Sequence, residues 1–210
     1  RYLKSEKGKE DIEVREERIN LFRSVFSDEN IDRLSEEDFR SIVKDLWANA
    51  MWINKDYLVD KILSLTPFDE IKQLLKNLLW GSAPLMDRYD EFIRKVKYMG
   101  TAQITEIMCF SSPNDYAIWN RRVMSALRYL GFEDILPVNK HHPNGKEYEE
   151  IVKAIKEIRD ILQNYGITPI DLTIVDYFLW FIDSNIKLEK KIVNEVEPYD
   201  HKEIDDIVDS

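Results

Sequence analysis

Apolar residues recur with the period of a helix through most of this chain. Phe39, Ile42, Val43, Leu46 and Trp47 stand at i, i+3, i+4, i+7 and i+8, one face of an amphipathic helix. Ser35 and Asp38 ahead of them form a capping-box start. Thr66-Pro67-Phe68-Asp69 opens a second helix, with Thr66 as N-cap and Pro67 in the first helical position. Its stripe is Ile71, Leu74, Leu75, Leu78 and Leu79, and Gly81 stands where a left-handed cap is wanted. Pro84 and Gly100 bound a third segment. Residues 146–165 read as a strongly amphipathic helix ended by Gly166. Thr168-Pro169-Ile170-Asp171 repeats the Thr-Pro-x-Asp start, and LTIVDYFLWFID after it is apolar almost all round, the mark of a buried central helix. No alternating run bounded by turns predicts a strand, and no internal repeat is visible. The expectation is an all-α chain of roughly eight or nine helices. Trp47, Trp52, Trp80 and Trp180 lie on helical stripes and are expected in the core, as is Cys109.

The ends break this pattern. Residues 4–18 are mostly charged, with few apolar anchors, and read as a helix with a solvated face or as a frayed arm. From Glu189 to Ser210, eight carboxylates stand against three lysines, and Ile204, Ile207 and Val208 begin another amphipathic pattern. The expected organisation is an all-helical domain over residues 1–188. An acidic extension over residues 189–210 would begin a further domain of a longer protein.

Composition narrows the class. A chain of 210 residues suits one domain with one core. Hydrophobic residues make up 44%, which excludes general disorder. Charged residues at 33% leave no apolar run long enough to span a membrane, and the charged start is no signal peptide. One cysteine closes no internal disulfide. A cytoplasmic protein is expected, and the scarcity of Gln leans towards a thermophile. The formal net charge of −10 argues against a surface that binds phosphate everywhere. The charge is unevenly spread, however. Residues 88–146 carry nine Lys and Arg against six Asp and Glu, a local net of +3, which favours one basic face.

That basic stretch holds the most informative motif. Residues 92–131 read FIRKVKYMGTAQITEIMCFSSPNDYAIWNRRVMSALRYLG. A helix stops at Met99-Gly100, and another begins within Thr101–Gln103, a helical hairpin about a Gly. A loop leads to Trp119-Asn120, then to a helix with Val123, Ala126, Leu127 and Leu130 on one face and Gly131 after it. The segment resembles the helix-hairpin-helix DNA glycosylase superfamily. Val96-Lys97-Tyr98-Met99-Gly100 falls on that family's hydrophobic-x-Gly-hydrophobic-Gly hairpin. Trp119-Asn120-Arg121-Arg122-Val123 falls on its Val-Asp-x-His-Val stretch, and Tyr129-Leu130-Gly131 on its Leu-Gly end. The resemblance covers about 40 residues.

The resemblance implies an all-α fold with a helix-hairpin-helix core and a DNA partner, with a damaged or modified base as the feature read. It assigns backbone contacts to Lys97, Gly100, Thr101, Ala102, Gln103, Arg121, Arg122 and Arg128, and a base pocket to Tyr116, Trp119 and Asn120. Three positions depart from the pattern. Asn120 holds the catalytic Asp position, and an amide is no general base. Ala102 holds the position of the Schiff-base Lys. Tyr98 replaces the first hairpin Gly. The expected function is a non-catalytic DNA-recognition module of a larger repair or restriction protein, with no catalytic residue, cofactor or metal. Two alternatives stay open: a protein-interaction scaffold with an inherited fold, and a divergent glycosylase using Asp115 or Asp176. Asn120 also suits a helix N-cap. His141-His142, with no third ligand, reads as a solvated loop. Asp176 in its apolar helix lies on a wet edge or is a buried carboxylate.

Overall fold

The structure, a computed structural model, describes residues 6–138, 142–168 and 170–196. Among these are nine α-helices and three short 3-10 turns, and no strand. The first half comprises α1 (Glu6–Phe26), α2 (Glu36–Asp45), α3 (Lys55–Leu65) and α4 (Phe68–Trp80). The second comprises α5 (Leu85–Lys95), α6 (Thr101–Ser111), α7 (Arg121–Tyr129), α8 (Gly145–Asn164) and α9 (Leu172–Val196). No helix of the described residues is long and apolar enough to cross a membrane.

The centre of the molecule is α6, not α9. Every α6 residue except Ala102 is buried. It packs against α1, against the 3-10 turn Trp47–Asn49 and against α9. The first two turns of α9 bury Leu172, Val175 and Leu179, but Phe181 further along is exposed, so this helix is a wall rather than a centre. It also runs through residue 188 to Val196, across the boundary expected there. The remainder of the acidic extension, residues 197–210, lies outside the described residues.

The amphipathic stripes form the core as their spacing requires. Phe39, Ile42, Val43 and Leu46 are buried, and the Ser35 hydroxyl accepts from Asp38 N while the Asp38 carboxylate accepts from Ser35 N. Trp47 breaks the pattern. The helix ends at Asp45, so Trp47 sits in the following 3-10 turn and is partly exposed. Trp52 and Trp80 are partly exposed too, and the Trp80 indole N–H donates to Phe26 O at 2.7 Å. Trp180 is half-buried and stacks on Tyr177. Cys109 is fully buried, and burial pushes its thiol well up, which leaves it inert.

Two helix starts shift by a residue or more. Pro67, not Thr66, caps α4, because Thr66 still closes α3 and gives its hydroxyl to Lys95 O. Asp171 starts α9, accepting from Thr173 N and Ile174 N. Gly81 does not take the left-handed conformation expected of it (φ −63°). It is Gly because a Cβ there would meet Asn77 O at 2.4 Å.

The charged N-terminal segment is a regular helix from Glu6, anchored by arginines. The Arg18 guanidinium is buried between Phe22, Trp47 and Phe110 and binds Glu106 at 2.8 Å and Asp45 at 2.7 Å. Arg15 donates to Thr173 O at 3.1 Å, lies 3.6 Å from Asp176 and stacks over Tyr177. An arginine covers apolar surface with its stem while its head pairs, so α1 docks with few apolar anchors.

Candidate nucleic-acid interface

The connection between α5 and α6 is five residues, Val96 to Gly100. Val96 and Met99 point inward, and Lys97 and Tyr98 point out. Tyr98 has φ +65°, the left-handed region where a Cβ is strained, and its ring is 56% exposed. The turn therefore takes a glycine-type conformation at the position where the sequence carries Tyr. Gly100 is the N-cap of α6, and its N–H donates to the Gln103 side chain at 2.6 Å.

The entry to α7 is fixed from α6. The Thr105 hydroxyl accepts from Trp119 N at 2.9 Å, which sets the backbone just before Asn120. Asn120 then caps α7, its Oδ1 accepting from Arg122 N at 2.9 Å and Val123 N at 3.1 Å. The carbonyl end of the amide is thus spent, while its NH₂ end makes no hydrogen bond among the described residues.

These two helix starts converge on one cleft of about 240 Å³, lined by Gly100, Thr101, Ala102, Trp119, Asn120, Arg121 and His142. No carboxylate lines it among the described residues. Its wall carries more apolar than polar surface, and the polar part comes from the two helix starts. Both helix dipoles end positive there, although the Asn120 cap already takes up Arg122 N and Val123 N of α7. The Asn120 amide and the Arg121 guanidinium add to this.

The remaining expected residues divide into two groups. Lys97, Arg121, Arg122 and Arg128 are exposed. Arg128 stands seven residues from Arg121 on the same face of α7 and lies 3.8 Å from Glu133. Thr101, Gln103, Tyr116 and Trp119 are spent on the fold. Thr101 is buried, and its hydroxyl lies 3.4 Å from that of Tyr89. Gln103 is buried and donates to Asn49 Oδ1 at 2.6 Å. Trp119 is 1% exposed, and Tyr116 is buried with its hydroxyl on Leu79 O at 3.0 Å. Neither ring is open to stack on an extruded base, because both fill the space around α6. His142 lines the cleft, while His141 and Lys140 lie outside the described residues. No cluster of metal-ligating side chains occurs among the described residues.

The two carboxylates considered as relocated catalysts do not line the cleft. Asp115 is exposed and accepts from the Ser112 hydroxyl. Asp176 is mostly buried beside Arg15, and burial pushes its carboxyl up to about 6 against the opposing pull of Arg15 and Arg122.

A feature the pattern of stripes missed lies beside the hairpin. Met51 and Ile53 are almost wholly exposed (92% and 102%), with Trp52 between them and Tyr57 beyond. The root of this loop is rigid. Asn49 is tied to Gln103 and to Val43 O, and Glu106 accepts from Trp47 N and Ala48 N, both at 2.8 Å. The sequence signal was the run Ala50-Met51-Trp52-Ile53 directly before the Asn54 cap, too short for a helix of its own. No family model, no curated protein and no solved structure matches this chain.

Proposed function

We propose that this domain is a non-catalytic DNA-recognition module that grips the phosphate backbone between the N-termini of α6 and α7. The observation that carries the reading is a cleft at two helix N-termini, lined by Arg121 and by no carboxylate among the described residues, in a chain of net charge −10. Paired helix N-termini with an arginine suit an anion. Lys97, Arg122 and Arg128 are exposed as well, Arg128 on the same face of α7 as Arg121. The glycine-type turn at Tyr98 fits the resemblance to the helix-hairpin-helix glycosylases. The exposed Met51-Trp52-Ile53 loop, tied to the first turn of α6 through Asn49, suits an apolar wedge entering a base step. Asn120, a cap without acid–base capacity, and Ala102 favour binding over base excision.

The test is a mobility-shift titration of the protein against a short DNA duplex, repeated with the Lys97→Glu, Arg121→Glu double variant. Both side chains are exposed, so the variant folds. Its affinity is expected to fall at least about tenfold. Equal affinity of wild type and variant would overturn the reading. Incubation with duplexes carrying damaged bases is expected to leave no abasic product, and such product lost on replacing Asp176 would favour a divergent glycosylase instead. The exposed apolar loop and the acidity favour the protein-interaction reading if no duplex binds at low salt.

A further inference from the structure

A second depression runs along α1 and shares no residue with the first. Ile12, Glu16, Ile19 and Arg23 stand at i, i+4, i+7 and i+11 and form one wall. Pro113 and Asn114 from the α6–α7 loop, with Ile167, Ile170 and Ile174 around the start of α9, form the other. Leu172 N donates to Pro113 O at 2.8 Å, which ties the two loops of that wall together. The groove has a volume of about 780 Å³, the size of an ordinary ligand site, with isoleucines in both walls.

The polar groups along it fall into two sets. Arg15 is spent on Thr173 O and Asp176, and Asp171 is spent capping α9. The side chains of Glu16, Asn20, Arg23 and Asn114 make no hydrogen bond or ion pair among the described residues. Glu16 and Arg23 are seven residues apart on one helix face, so their positions are separated by about 10.5 Å along the axis. Three residues of extended peptide span about 10 Å. An all-anionic ligand would meet Glu16, and an all-cationic one Arg23. A ligand with an apolar middle and one charge of each sign at that spacing satisfies both.

We propose that this groove binds a short aliphatic peptide segment of three or four residues, its ammonium end beside Glu16 and its carboxylate end beside Arg23. Ile19, midway between the two charges, packs against the central side chain. The groove is thereby a peptide-docking site independent of the cleft between α6 and α7.

The full chain, labelled with ¹⁵N, is titrated with the tripeptide Ile-Val-Ile bearing free termini, and with its N-acetylated and C-amidated forms. Saturable shifts are expected at Asn20, Arg23, Asn114 and Ile167, with a dissociation constant on the order of 0.1 mM. Blocking either terminus, or introducing Glu16→Gln or Arg23→Gln, is expected to weaken binding about three- to fivefold, as loss of one exposed ion pair does. Both substituted residues are exposed, so the variants fold. Absence of saturation, shifts centred elsewhere, or equal binding of the doubly blocked peptide overturns the proposal.

Discussion

Tyr98 illustrates how a single residue records a conformation that its own chemistry disfavours. A left-handed backbone costs a non-glycine residue roughly 1–2 kcal/mol, and Tyr98 holds φ +65° with its ring in solvent. Replacement by glycine removes the strain and no buried contact. Part of the gain returns as unfolded-state entropy, so Tyr98→Gly is expected to stabilise the fold by about 0.5–1 kcal/mol, read as a higher midpoint in urea. Unchanged or lower stability would mean that the ring contributes packing. Asp176 gives a second residue-scale expectation. Its carboxyl is raised by burial to about 6 from an ordinary 3.8. The native state therefore binds this proton more tightly than the unfolded chain. The resulting stabilisation is complete below pH ~4 and is lost as pH rises through about 6. It amounts to as much as about 3 kcal/mol. Buried Glu106 is raised as well and adds a contribution of the same sign. Between pH 4 and 7.5 the wild type is expected to lose more stability than Asp176→Asn, as chemical denaturation at each pH would show. Parallel profiles would place the Asp176 carboxyl at an ordinary value.

Helices carry most of what the sequence makes legible, and their ends carry most of what it hides. The stripes through Phe39, Leu75 and Ile155 announce α2, α4 and α8, because one apolar face in water needs a core. Asn120 is readable as a cap for the same local reason, a side-chain oxygen two residues from an orphan N–H. Position α1 is harder to read. Its anchors are Arg15 and Arg18, whose burial depends on Asp176 and Glu106 far along the chain. The sequence places Trp119 and Tyr116 beside a pocket, yet they fill the core, since only the packed fold shows which side of a loop is closed. Gly145 is another tertiary case. A Cβ there would stand 2.1 Å from Met86 O, so glycine lets α8 start against α5, and its N–H donates to Asp90 at 2.7 Å. Gly145→Ala is expected to cost about 3 kcal/mol by overpacking, measured by thermal or urea unfolding. A cost under about 0.5 kcal/mol would show that α5 and α8 separate freely.

At the scale of the whole molecule, one helix links the features with functional meaning. Through Gly100 α6 presents its N-terminus at the cleft, through Thr105 it sets the entry to α7, and through Gln103 and Glu106 it holds the exposed Met51-Trp52-Ile53 loop. An acidic protein thus keeps two helix starts and Arg121 around one small cleft on a rigid support, and under the proposed function the charge elsewhere would limit binding to that face. The central claim is that this face holds phosphates. Its most direct test is the affinity of the full chain for a fluorescent DNA duplex by anisotropy, from 20 to 200 mM salt. The logarithm of affinity is expected to fall linearly with the logarithm of salt, with a slope of about −2 to −4, as two to four phosphate contacts require. No binding at the lowest salt, or binding indifferent to salt, would contradict the account.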